Sequence, residues 1–101
     1  MTKWVQAVKL EELKRAQKFV HRRKEIAIFK LEDGVYAIDN SCSHEYSPLY
    51  EGIITADAQV CCPKHGSRFD IRTGAVRDFP ATRPVSTYPV KIEDGYVWIG
   101  I

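Results

Sequence analysis

Two short segments carry residues able to do metal chemistry. Cys42-Ser43-His44 is a C-x-H pair, and Cys62-Pro63-Lys64-His65 is a C-x-x-H pair, with seventeen residues between His44 and Cys62. The chain has three cysteines and three histidines, so nearly all of its soft-ligand chemistry lies in this stretch. Two thiolates and two imidazoles can hold a four-coordinate zinc ion or a two-iron sulfur cluster. Zinc sites usually pair like ligands across two to four residues. Here each pair is mixed, and the first has a single residue between its members. Such pairs suit two loops that converge on a two-iron centre. Zinc, and a vestigial site that binds nothing, are the alternatives on the residues alone.

The elements that must position these loops read as short strands. Trp4 to Val8 and Gln17 to His21 suit strands, with Leu10 to Leu13 between them as one helical turn or a loop. Glu25 to Leu31 is a near-continuous apolar run, which suits a strand buried on both faces. Asp33-Gly34 predicts a hairpin turn, and Val35 to Ile38 is the return strand that delivers the chain to Cys42. Residues 45 to 58 contain Pro48 and Gly52 without a clear period and read mostly as loop. Ala58 to Cys62 enters the second pair and Ser67 to Ile71 leaves it. Thr73-Gly74 then turns, Ala75-Val76 returns, and residues 78 to 81 form a rigid loop. Val85 to Glu93 and Tyr96 to Ile99 flank Asp94-Gly95, a second hairpin signal. The pattern is all-β with many short strands, and no repeat or interdomain linker interrupts it.

At 101 residues the chain is expected to be one domain, residues 1–101. A net charge of +2 gives no argument for nucleic acid. The local basic run His21-Arg22-Arg23-Lys24 reads as a solvated strand end or turn, with a docking patch for an acidic partner as the alternative. No stretch approaches a membrane span, and residues from Met1 to Gln6 lack a leader signature, so no membrane association is expected. Three cysteines make a disulfide framework unexpected and point to a reduced, cytoplasmic setting.

The two motifs resemble the Rieske family, in particular the small Rieske ferredoxins of bacterial aromatic-ring dioxygenases. The resemblance extends from about Trp4 to Ile99. It implies one Rieske-type [2Fe-2S] cluster, with Cys42 and Cys62 on one iron and His44 and His65 on the other. It also implies an antiparallel β-sandwich base built from both chain ends, carrying a cluster-binding subdomain at about residues 41 to 82. Two imidazoles in place of two thiolates remove negative charge, which raises the reduction potential relative to an all-cysteine ferredoxin. In the family the histidines reach the surface and form the electron exit.

Further positions follow from the same resemblance. Gly66 is expected to make a tight turn that lets backbone N–H groups approach the sulfurs. Ser67 matches a serine that donates to a cluster sulfur in quinol-oxidising Rieske proteins, whereas Phe69 stands where those proteins have a second donor, tyrosine. Ser47 and Lys64 stand where they have a disulfide, which therefore cannot form here. Phe79-Pro80-Ala81 matches a proline-containing loop that covers the cluster. Tyr46, Pro48 and Leu49 either line a partner-facing rim or pack inward. Cys61 is expected to point away from Cys62, because neighbouring strand residues face opposite sides. His21 lacks metal-binding companions and reads as an ordinary histidine.

The chain shows no serine-hydrolase arrangement, phosphate loop or dinucleotide fingerprint. The resemblance therefore implies a monomeric electron carrier, not an enzyme in its own right. It would take single electrons from an NAD(P)H-dependent flavin ferredoxin reductase and pass them to a terminal Rieske oxygenase in aromatic hydrocarbon catabolism. The small subunit of an assimilatory NAD(P)H nitrite reductase is the alternative within the same fold. A quinol-oxidising subunit and a zinc-stabilised binding module are further removed.

Overall fold

The computed structural model describes residues 2–44 and 46–101. Met1, at the head of the expected leaderless segment, and Glu45, the first residue of the expected long loop, lie outside the described residues. The strands are β1 (Trp4–Lys9), β2 (Ala16–His21), β3 (Lys24–Leu31), β4 (Gly34–Asp39), β5 (Ile53–Ile54), β6 (Gln59–Cys61), β7 (Arg68–Asp70), β8 (Val76–Asp78), β9 (Thr87–Tyr88), β10 (Val90–Glu93) and β11 (Tyr96–Gly100). They form three antiparallel sheets, ordered β1-β11-β10, β2-β3-β4-β9 and β5-β6-β7-β8. No helix among the described residues is long and apolar enough to cross a membrane.

Strand β3 organises the packing. Ile26, Ala27, Ile28 and Phe29 are all fully buried, and alternate residues of a strand face opposite ways. Ala27 and Phe29 therefore join one core with Ile38, Leu49, Val60, Phe69 and Ile71. Ile26 and Ile28 join a second core with Ala37, Val97 and Ile99. The β2-β3-β4-β9 sheet is thus covered on both faces, as the unbroken apolar run at 26–29 requires. One face packs on the sheet made by the two chain ends, the other on the elements that carry the two Cys/His pairs. Arg72, beyond β7, adds a tie between them. Its guanidinium bonds to Asp33 in the β3–β4 turn at 3.0 Å and holds that carboxyl below the usual carboxylate range.

Three expectations need correction. The β3–β4 turn is Glu32-Asp33, one residue earlier than expected, because Gly34 already pairs with Leu31. Val85 to Glu93 is not one strand. β9 pairs with β4, and β10 pairs with β11 in a different sheet, with Pro89 between them, where a residue without an N–H cannot extend a ladder. The 45–58 segment is more ordered than a loop. Leu49–Glu51 forms a single 3-10 turn and Ile53–Ile54 pairs with Val60 and Cys61. The Asp94-Gly95 hairpin is as expected, with φ of 54° and 78° at its two turn residues. The basic run is a solvated turn, with Arg22, Arg23 and Lys24 exposed.

Candidate metal centre

Strand β4 delivers the first candidate ligand loop, which carries Cys42 and His44. Asn40, fully buried, fixes its base. The side-chain amide donates to Glu25 at 3.2 Å, its oxygen accepts from the Tyr50 N–H at 2.9 Å, and its carbonyl accepts from the Leu49 N–H at 2.7 Å. The loop then closes on itself, because the Cys42 N–H donates to the Ser47 carbonyl at 3.2 Å and Ser41 bridges Pro48. Leu49 packs inward and is fully buried, whereas Tyr46 stays 59% exposed on the rim.

Strands β6 and β7 hold the second loop between them. The Cys62 N–H donates to the Ser67 carbonyl at 2.6 Å, and the Gly66 N–H donates to the Cys62 carbonyl at 3.1 Å. Gly66 has φ of 78°, a conformation that glycine adopts without steric penalty. Beyond its two chain neighbours, no heavy atom of the described residues lies within 4 Å of the place a Cβ would occupy, so the backbone angle is what calls for glycine here. The turn aims backbone N–H groups at sulfur. Burial pushes the Cys62 thiol up, but the N–H groups of His65 and Lys64, the Ser47 hydroxyl and the Cys42 thiol outweigh it and hold it below the usual range. Ser47, where the related disulfide would begin, thus serves as a donor to Cys62.

The two loops meet with their like donors together. Cys42 and Cys62 are buried, at 4% and 2% exposure, and their thiols are within hydrogen-bonding reach of each other. His44 and His65 are exposed, and their rings meet edge to face with centroids 5.5 Å apart. A thiol pair therefore lies inside and an imidazole pair outside. Among the described residues, no three His, Cys, Asp or Glu side chains converge on one point where a single ion would sit. A tetrahedral zinc site needs four donors about 2.0–2.3 Å from one centre. The buried thiol pair and the exposed imidazole pair would together hold a two-iron cluster, which would supply a site for one electron.

A third segment crosses both loops. Residues 79–83 follow β8, with Phe79 78% exposed and Ala81 buried. The Ala81 N–H donates to the Ser67 hydroxyl oxygen at 2.9 Å. Ser67 is fully buried, and this bond uses its oxygen while leaving its proton to be donated elsewhere. Pro80 sits in this segment, half-buried. Cys61 is half-buried and pairs across to Arg68, outside the core that contains Cys62. His21 stacks on Phe19. Asn40 and Ser43 are the residues that reading the sequence missed. The only signal was polar residues flanking Cys42, two positions before it and one after, which is common in any loop.

This donor set agrees with what the chain is similar to. Residues 3–100 match the Rieske-like [2Fe-2S] domain family, and the chain belongs to it. Membership brings one Rieske-type [2Fe-2S] cluster, so the zinc reading gives way. The chain is 42% identical over 76 residues to the 3-phenylpropionate/cinnamic acid dioxygenase ferredoxin subunit of Shigella flexneri, covering 75% of this chain and 72% of that one. It is 42% identical over 79 residues to the anthranilate 1,2-dioxygenase ferredoxin subunit of Burkholderia cepacia, covering 78% and 72%. The solved ferredoxin of carbazole 1,9a-dioxygenase from Nocardioides aromaticivorans superposes with a TM-score of 0.89 at 33% identity, over 95% of each chain.

Proposed function

We propose that this protein is a one-electron shuttle for an aromatic-ring-hydroxylating dioxygenase. The observation that carries the reading is the buried thiol pair beneath an exposed imidazole pair. In this reading Cys42 and Cys62 hold one iron and His44 and His65 the other, within a cluster-binding part at about residues 41 to 82 of a single domain. When bound, the cluster supplies a site that gains and loses one electron. The protein's own groups do the rest. The N–H groups of His65 and Lys64 and the Ser47 hydroxyl stabilise thiolate at Cys62. Leu49, Val60 and Phe69 exclude water from beneath the thiols. His44 and His65 face solvent, which gives a partner a short path for the electron.

The electron comes from an NAD(P)H-dependent flavin ferredoxin reductase and goes to a terminal Rieske oxygenase. The relatives' names, ferredoxin subunits of aromatic dioxygenases, support the oxygenase end of this path. The same names, those of ferredoxin subunits and not of oxygenases, support a carrier that is not itself an enzyme. A cavity of about 690 Å³ is lined by Leu13, Lys30, Arg72 and their neighbours, with none of the four donors among them. The protein works as a cytoplasmic monomer, because a shuttle must leave each partner quickly and small contacts permit that. The test is anaerobic mixing. NADH should reduce the cluster only when a dioxygenase ferredoxin reductase is added, and an oxidised terminal oxygenase should then reoxidise it. Stable co-purification with a large flavin- and haem-bearing subunit, with no exchange with the reductase, would favour the nitrite reductase reading.

Ser67 donates its remaining proton toward a cluster sulfur in this account. Ser67→Ala should lower the midpoint potential by about 40–60 mV, the one-electron equivalent of a hydrogen bond of about 1–1.4 kcal/mol. It also leaves the buried Ala81 N–H without its partner, costing about 1–3 kcal/mol of stability. Redox titration and thermal unfolding of the same variant check both. An unchanged potential with a lowered Tm would mean that Ser67 serves only Ala81.

A further inference from the structure

The 79–83 segment is held to the metal site by hydroxyl groups. Among the described residues, no backbone–backbone hydrogen bond ties residues 79–84 to the rest of the fold. The Phe79 N–H turns back to its own neighbour, the Asp78 carboxylate. Ala81 is fastened to the second ligand loop by the Ser67 hydroxyl. Two residues on, the Ser43 hydroxyl donates to the Arg83 carbonyl at 2.5 Å, across forty positions of sequence. Ser43 lies between Cys42 and His44. The strap therefore clasps both ligand loops, adding to the backbone bonds that close each loop, the Asn40 and Tyr46 bonds to Glu25 and the contacts around the Cys62 sulfur.

We propose that Ser43 is a positioning residue, which fixes the His44 side of the site by clasping the first ligand loop to the 79–83 strap. This rests on His44 being a ligand, as proposed above. The physical argument concerns constraint and water. Ser43 is the chain neighbour of His44, so tethering its side chain to the Arg83 carbonyl restricts the backbone that carries the imidazole. With two thiolates and two neutral imidazoles the oxidised centre is neutral, and reduction adds one negative charge. Water admitted by a loosened strap would stabilise the reduced state and raise the potential. The Ser43 proton is spent on Arg83, so its loss removes no donor from the cluster. Ser43→Ala and Ser67→Ala should therefore shift the potential in opposite directions.

The experiment uses the cluster-loaded full chain. In Ser43→Ala the cluster should be lost to a chelator about threefold to tenfold faster, as expected for one hydrogen bond. The potential should rise by the same factor, about 30–60 mV at 59 mV per tenfold, and the EPR lines should broaden as His44 samples more poses. Ser43→Thr keeps the hydroxyl and should restore all three. Arg83→Ala keeps the accepting carbonyl and should match the wild type. A Ser43→Ala variant that melts earlier but keeps the wild-type spectrum and potential would overturn the proposal, and so would an Arg83→Ala variant that reproduces the Ser43→Ala shifts. A His44→Ala variant with an unchanged Rieske spectrum would instead remove the ligand assignment beneath it.

Discussion

Replacing either His44 or His65 by cysteine should lower the midpoint potential by on the order of 100 mV or more, or cost the cluster altogether. Each substitution exchanges a neutral imidazole for a thiolate. The added negative charge opposes the added electron. Rieske centres lie at about −150 to +300 mV and plant-type all-cysteine ferredoxins near −400 mV, so the double variant should approach the second range. The two histidines are also exposed and edge to face at 5.5 Å, so neither variant should disturb the core. Far-UV circular dichroism would confirm an intact fold while EPR and potentiometry read the centre. A Rieske spectrum unchanged in both variants would mean that other groups hold the iron.

Phe69→Ala should be the most damaging change outside the donors. Phe69 is fully buried on β7, between the second ligand loop and the turn at 71–74, in the same core as Cys42, Cys62, Leu49 and Val60. Truncating a buried phenylalanine costs about 3–5 kcal/mol through lost burial and the cavity left behind. Small domains have about 5–15 kcal/mol in total. The apoprotein should therefore melt more than about 10 °C lower, at about 4–8 °C per kcal/mol for a domain of this size. The cavity would open directly beneath the thiols, so cluster loss should accelerate as well. Differential scanning calorimetry of apo and loaded forms checks this. A Tm within a few degrees of wild type would show that this core can collapse around the gap.

The parts legible in sequence were those governed by short-range rules. The apolar run at 26–29 gave the doubly covered strand, and Asp94-Gly95 gave its hairpin. The mixed Cys/His spacing brought four residues of two types into one place. What escaped was set by contacts distant in sequence. Pro89 could be read as an edge residue, but nothing local said that β9 and β10 would part company into different sheets. Ile53 and Ile54 are two residues long as a strand, too short to show an alternation. Asn40 and Ser43 are ordinary loop residues until the fold brings Glu25 to one and Arg83 to the other. Ser67 was legible as a residue worth notice, but its acceptance of the Ala81 N–H was not.

The central claim is a two-iron centre held by two thiolates and two imidazoles. Its most direct test is EPR-monitored potentiometry of the protein after anaerobic iron and sulfide reconstitution, with iron and acid-labile sulfide measured on the same sample. The account predicts two irons and two sulfides per chain and a Rieske-type spectrum on reduction. The midpoint should lie in the lower part of the span of about −150 to +300 mV, since Phe69 offers no second donor. A spectrum of the all-cysteine ferredoxin type, or a chain that takes up zinc and no sulfide after reconstitution, would contradict it.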